Sequence, residues 1–177
     1  MRKLLIISLL FIGCTQSENQ NSTKTYYDLA GFINQQILQL TKNQPLTEKK
    51  LLISEKTETI NTKDIDWKKE LELFLQTDLN KQSYQLSYQK DSTQNTVTYQ
   101  LKKGEDLPVK TLKIEFDEEK SPKRIDALMQ VNNYLYKSEK NLSMNFEKKL
   151  LKNYQIEGWQ ELFIGKKKAF KVVGSVK

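Results

Sequence analysis

The side chain with the strongest context for covalent chemistry is the thiol of Cys14, the only cysteine among 177 residues. It follows two cations, Arg2 and Lys3, an apolar run over residues 4–12, and a small residue, Gly13. A positively charged start, a short apolar segment and a small residue at its end are typical of an export signal that a protease removes. We therefore expect cleavage after Gly13, which would make Cys14 the first residue of the mature chain.

This segment resembles the lipobox of bacterial lipoproteins, and the resemblance covers residues 1–14 only. In that family the cysteine thiol is joined to a diacylglyceryl group, and the new amine is usually acylated after cleavage. The chain departs from the commonest pattern at Phe11, where leucine is usual. In the family, an aspartate directly after the cysteine often signals retention in the inner membrane. Thr15 occupies that position here, so the resemblance favours the outer membrane. The resemblance thus implies a membrane-anchored protein of the cell envelope, held by diacylglyceryl-Cys14.

Three other interpretations of the first residues remain open at this point. They are a permanent transmembrane helix, an ordinary secretory signal with an unmodified cysteine, and a cytosolic protein with an apolar first element. The apolar run of nine residues is too short to cross a hydrocarbon core about 30 Å thick, which disfavours the first. The match to the charged and apolar parts of export signals disfavours the last.

Enzymatic chemistry has little support in the sequence. The chain has no histidine, which removes the commonest general base, the commonest transition-metal ligand and every Ser–His nucleophile pair. Ser87 and Lys90 match the S-x-x-K spacing of penicillin-binding enzymes, but the companion motifs are missing. Asp117, Glu118 and Glu119 lack the spacing of a calcium loop, and the scattered glycines form no phosphate-binding motif. We therefore expect a protein that is not an enzyme and needs neither cofactor nor metal.

The rest of the chain is predicted to form one globular domain on a tether. Residues 1–13 are the predicted signal peptide, 14–24 the lipidated N-terminus and flexible tether, and 25–177 a single α+β domain. The tether contains no strongly apolar residue, and a coil of this length reaches roughly 18 Å. Because one cysteine cannot form an internal disulfide, the domain must be stabilised by an apolar core.

Apolar periodicity predicts two amphipathic helices at the start of this domain. The first runs from Tyr26 to Leu40 and the second from Trp67 to Leu79, with Asp64 as its N-cap. The stretch between them, from Lys50 to Ile60, is rich in β-branched residues toward its end and is predicted to be extended.

Beyond Leu79 the apolar period falls to two, which is typical of strands with one buried face. Seven such segments begin near Tyr84, Val97, Leu112, Ile125, Leu142, Tyr154 and Ala169. The predicted fold class is therefore α+β, with two N-terminal amphipathic helices packed on a curved antiparallel β-meander of about seven strands. This order of elements, together with the export signal, loosely resembles the half-barrel lipoprotein carriers LolA and LolB, in which a curved antiparallel sheet encloses an apolar cavity capped by helices.

Two classes of function follow from this outline. The favoured one is a non-catalytic binding or interaction module, whose partner is an envelope protein not defined by the sequence. The alternative is a carrier or sensor of a lipid or another apolar ligand, held in a cavity of the sheet. The candidate lining residues of that cavity are Tyr84, Leu86, Tyr88, Tyr99, Ile114 and Phe116. The same residues could instead pack on the two helices, and we favour that packing.

Basic residues are concentrated at the end of the chain. Residues 148–177 carry eight lysines and only two acidic residues, Glu157 and Glu161. This segment therefore accounts for most of the net charge of +7 of the whole chain. Lys166, Lys167 and Lys168 are candidate contacts for an anionic partner. They could instead be a turn whose lysines only keep a strand edge solvated, and we favour that explanation. The envelope address disfavours nucleic acid as that partner.

Overall fold

The computed structural model describes residues 24–53 and 56–177. Helix α1 spans Leu29–Asn43, and two short helical turns follow later, α2 at Trp67–Glu70 and α3 at Glu72–Leu75. The strands are β1 Thr47–Ile53, β2 Lys56–Thr62, β3 Tyr88–Ser92, β4 Thr96–Leu101, β5 Val109–Phe116, β6 Pro122–Asn132, β7 Tyr136–Glu147, β8 Leu150–Leu162 and β9 Lys168–Val176. These nine strands form one sheet in the order β2-β1-β9-β8-β7-β6-β5-β4-β3, and every neighbouring pair is antiparallel. The fold is therefore α+β, with more strand and less helix than the sequence predicts.

Helix α1 begins three residues later than its periodicity suggests. Asp28 is the N-cap, and its carboxylate accepts a hydrogen bond of 2.9 Å from the backbone amide of Gly31. The helix ends at Gln44, which adopts the left-handed conformation and donates its amide to the carbonyl of Leu40. Tyr26 therefore lies before the helix, at a bend of the chain, and its ring joins the same apolar core.

The prediction of one helix from Trp67 to Leu79 is wrong in its length and its cap. Asp66, not Asp64, accepts the hydrogen bond from the amide of Lys69 that caps the first turn. The helix is split at Leu71, and the hydroxyl of Thr77 donates to the carbonyl of Phe74 at 2.7 Å near its end. Side-chain capping of backbone carbonyls competes with helix continuation, which explains the early stop.

The stretch from Lys50 to Ile60 is a hairpin of two strands rather than one extended segment. Strand β1 pairs with both β2 and β9, so the hairpin extends the meander to nine strands. Its apolar alternation is weak because β2 is an edge strand, exposed along nearly its whole length. A strand that is wet on both faces has no buried side to impose period two on its sequence.

The seven consecutive strands predicted after the helices are present as β3 to β9, although the first of them starts later than expected. Buried side chains alternate with half-buried ones in β6, where Ile125, Ala127 and Met129 are buried. These inward residues and the apolar faces of the helices form a single hydrophobic core. Within the described ranges, no helix has both the length and the apolar character to cross a membrane.

Candidate interaction surfaces

The lipidation hypothesis concerns Gly13 and Cys14, which lie outside the described residues, as does the whole segment 1–23. The predicted tether joins the domain at Lys24, where an ion pair with Asp28 precedes helix α1. Thr25 lines the same depression as Ser92, the last residue of β3, and Gln94, in the turn between β3 and β4.

Four of the six candidate cavity residues, Tyr84, Tyr88, Tyr99 and Ile114, are buried in the core, and Phe116 is half-buried against it. The ring of Tyr26 fills the space between them. It contacts the rings of Tyr88 and Tyr99 edge to face, with centroids 5.8 and 5.3 Å apart. The segment before α1 therefore packs on the buried face of the sheet, where the sequence allowed a ligand cavity.

The hydroxyl groups of this tyrosine cluster bind the backbone. Tyr88 donates to the carbonyl of Val109 at 2.8 Å, and Tyr99 accepts from the amide of Tyr27 at 3.0 Å. Burial raises the pKa of Tyr27 to about 12 and also raises the pKa of Tyr88 and of Tyr99. These hydroxyls are therefore protonated donors or acceptors that hold the pre-helix segment, and not groups poised for acid–base chemistry.

Leu86 does not belong with the other candidate lining residues. Its side chain is 76% exposed, and its backbone has a φ of 64°. A short 3₁₀ turn over Gln82–Tyr84 precedes it, and its carbonyl accepts from the Lys102 amine at 2.5 Å. Strand β3 begins only at Tyr88, so the alternation of Tyr84, Leu86 and Tyr88 does not correspond to one strand.

An open depression of about 430 Å³ remains at the end of the sheet where the chain enters the domain. Its walls include the aromatic rings of Tyr27, Tyr99 and Phe116 and the amines of Lys90 and Lys120. The Lys120 amine donates to the carbonyl of Gln94 at 2.5 Å, which fixes one rim. Two of the candidate lining residues thus face a solvent-open depression rather than an enclosed cavity.

Gln36 joins helix α1 to the sheet, and sequence periodicity did not identify it. Its side chain is buried, donates to the carbonyl of Lys149 at 3.0 Å and accepts from the amide of Leu151 at 3.0 Å. These backbone groups lie in and just after the two-residue turn of Lys148 and Lys149, both with positive φ. The only sequence signal for this contact was that Gln36 is a polar residue within the apolar stripe of α1.

A second polar link joins α2 to the sheet. The Glu70 carboxylate pairs with the Lys49 amine at 2.5 Å and accepts a hydrogen bond from the hydroxyl of Tyr154. Burial, reinforced by Glu70, raises the pKa of Tyr154. The ring of Tyr154 lies directly over Gly174, where any Cβ would meet ring carbons at 2.1 Å. This network thus holds a helix and three strands together.

The predicted anionic contacts lie at one end of the sheet, in the turn between β8 and β9. Lys166, Lys167 and Lys168 are exposed, and the amine of Lys167 lies 3.9 Å from the ring centroid of Trp159. Together with Lys137 at the neighbouring hairpin, we call these four residues the lysine collar. No carboxylate of the described residues forms an ion pair with any of them.

The same end of the sheet exposes large apolar side chains, which the sequence pattern did not identify as a surface. The tips of the β6–β7 and β8–β9 hairpins are adjacent, because the amide of Phe163 donates to the carbonyl of Leu135 at 2.9 Å. Phe163 and Ile164 are 81% and 86% exposed. We call the exposed apolar residues of the two tips the tip patch, which consists of Tyr134, Leu135, Leu162, Phe163 and Ile164.

The described part of the chain contains no group of three or more histidine, cysteine, aspartate or glutamate side chains able to hold a metal ion. It also contains no buried side-chain nitrogen or oxygen without a hydrogen-bond partner. The sequence matches no protein-family model, and comparison with curated proteins and with solved structures finds no similar chain.

Proposed function

We propose that this protein is a membrane-anchored envelope lipoprotein that acts as a non-catalytic binding or interaction module. The anchor is the diacylglyceryl-modified Cys14, and residues 15–24 are the tether between the lipid and the domain. The domain then works at the membrane surface, through groups exposed on its outside.

The observation that carries this proposal is the packed inner face of the sheet. Tyr26 and α1 cover the tyrosines and Ile114, which were the strongest candidates for a ligand cavity. Gln36 and Glu70 then attach α1 and α2 to the sheet through hydrogen bonds to β8. A domain whose interior is occupied by its own side chains favours recognition at its surface.

One exposed surface suited to a protein partner is the edge strand β2. Its seven residues, Lys56–Thr62, pair only with β1, so one row of backbone amides and carbonyls is open to a further strand. Addition of a strand to an open edge is a common mode of peptide recognition. Charged side chains on an edge oppose uncontrolled pairing, and Lys56 and Glu58 occupy such positions here. We propose that an envelope protein binds this edge.

The alternative is a carrier or sensor of an apolar ligand, and the depression beside Tyr99 and Phe116 favours it. Three aromatic rings line the depression, and its volume of about 430 Å³ lies within the usual range for small-molecule sites. Two lysines on its wall suit a ligand with an anionic group. This alternative needs a ligand bound near the point where the chain enters the domain.

Native mass spectrometry with lipid extraction separates the two functions. The sample is a chain beginning at Thr15, expressed in the periplasm of a diderm host, since every core residue of the described chain lies after Lys24. The proposed function predicts a protein without a stoichiometric lipid adduct. It also predicts that binding of the partner protein is lost when Thr59 on β2 is replaced by proline. A Gln35→Ala change on the exposed side of α1 is the control, and a defined apolar adduct would favour the carrier instead.

A further inference from the structure

We propose that the tip patch and the lysine collar form a membrane-contact surface that takes an anionic phospholipid bilayer. This contact is separate from the proposed lipid anchor and does not depend on it. The physical starting point is that five large apolar side chains are exposed together at two adjacent hairpin tips, where a purely structural turn needs none.

The arrangement of the apolar side chains suits a fluid apolar medium. Tyr134, Phe163 and Ile164 are each more than 80% exposed, so they project from the tips and do not line a shaped groove. A projecting side chain needs a complementary pocket to bind a protein, whereas a bilayer has no such shape requirement. Tyr134 also combines an apolar ring with a hydroxyl, which is typical of residues at the membrane–water interface.

The charges around the patch complement an anionic surface. The two tip segments, residues 133–137 and 161–168, contain four lysines and one acidic residue, Glu161. Lysines beside an apolar insertion keep their amines at headgroup level while their stems lie along the apolar layer. Each lysine close to an anionic leaflet strengthens binding about fivefold, and added salt weakens that part of the binding. The collar therefore selects a bilayer rich in anionic lipid.

The patch lies at the far end of the sheet from the start of the domain. Thr25 lines the same depression as the β3–β4 turn, and that turn contacts the end of β5, where the amide of Phe116 donates to the carbonyl of Asn95. Strand β6 leads from there to the tips, and its 11 residues span about 36 Å. The ten tether residues extend to about 35 Å at most. Under the proposed function, anchor and patch reach one bilayer most easily when the sheet lies along the membrane.

Vesicle flotation tests this contact without the anchor. The chain beginning at Thr15 is mixed with vesicles of phosphatidylcholine alone, or of phosphatidylcholine and phosphatidylglycerol in equal parts. We expect flotation with the anionic vesicles, which falls as salt is raised. Replacing both Phe163 and Ile164 by serine should weaken the partitioning at least about tenfold, because each change removes an inserted apolar side chain.

Matched control variants distinguish binding through the tip patch from non-specific adsorption through other exposed apolar side chains. Leu38 on α1 and Leu86 are 70% and 76% exposed but lie outside the tip patch, so the Leu38→Ser/Leu86→Ser double variant should float as the wild type does. A Lys166→Gln/Lys167→Gln/Lys168→Gln variant should lose most of the salt-sensitive binding. Circular dichroism of each variant checks that the fold is retained.

Three outcomes would overturn the proposal. They are a wild-type chain that fails to float with anionic vesicles, equal flotation of the two serine double variants, and binding that ignores the lysine changes. A photo-reactive residue at position 163 that crosslinks to a protein while flotation is absent would reassign the patch to a protein partner. Because the sample lacks Cys14, each of these results leaves the lipid-anchor proposal to its own test.

Discussion

The clearest prediction concerns Gln36, which attaches α1 to the sheet and so keeps the buried face of the sheet covered. A Gln36→Met change preserves the length of the side chain but removes both hydrogen bonds, to the carbonyl of Lys149 and from the amide of Leu151. Leu151 is buried, so its amide would lose its partner and gain no water.

The expected loss of stability follows from these two groups. A buried amide left without a partner costs about 1–3 kcal/mol, and the lost bond to the more exposed carbonyl of Lys149 adds about 1 kcal/mol. The free energy of unfolding should therefore fall by about 2–4 kcal/mol, which lowers Tm by roughly 5–15 °C for a domain of this size.

The assay is urea unfolding followed by circular dichroism on the chain that begins at Thr15. Gln35→Met is the matched control, because Gln35 is exposed on the same helix. Hydrogen exchange adds a local readout, since the Leu151 amide should exchange faster in the Gln36 variant. If the two variants differ by less than about 0.5 kcal/mol, the difference is within the range of ordinary surface changes and the reasoning is refuted.

Three further perturbations test the packing and the tyrosine chemistry. Gly174→Ala places a Cβ against the ring of Tyr154 and should destabilise the fold by about 1–3 kcal/mol in thermal melts. Gly165→Ala is the control and should be nearly neutral, because its Cβ meets no atom closer than 3.9 Å. Equal melting temperatures for the two variants would contradict this packing. Replacing Lys148 and Lys149 by asparagine and glycine should stabilise the β7–β8 turn by about 1–2 kcal/mol, because both positions have positive φ, and an unchanged urea midpoint would argue against strain there. Above pH about 10 the unfolded chain loses phenolic protons that the folded chain keeps. The free energy of unfolding should therefore fall as pH rises, which urea titration at several pH values measures. A free energy of unfolding that does not change with pH would refute the raised pKa values. The tyrosines concerned are Tyr27, Tyr84, Tyr88, Tyr99 and Tyr154.

The strands of the second half of the chain were predictable because one face of each is buried. Leu142, Met144 and Phe146 in β7 alternate with Ser143 and Asn145, and the structure buries the three apolar side chains. The β1–β2 hairpin was missed because β2 is an exposed edge, where no buried face imposes a pattern. Sequence period therefore reports burial and fails wherever a strand is solvated on both sides.

The interaction surfaces were harder to predict, for two physical reasons. Phe163 and Ile164 continue an apolar run in the sequence, and only the position of the turn shows that they project into solvent. The alternation of Tyr84, Leu86 and Tyr88 suggests one strand, but the positive φ at Leu86 breaks it. Long-range contacts decide both cases, and neither is visible in local spacing.

The most direct test of the account is the chemical state of Cys14 in the protein isolated from membranes. Mass spectrometry of its N-terminal peptide, combined with membrane fractionation, compares the wild type with Cys14→Ser. We expect a peptide that begins at Cys14 and carries a diacylglyceryl group in the wild type, and a Cys14→Ser domain that stays folded but leaves the membrane fraction at high salt. An unmodified cysteine, or a wild-type chain that retains residues 1–13, would contradict the anchored-module account.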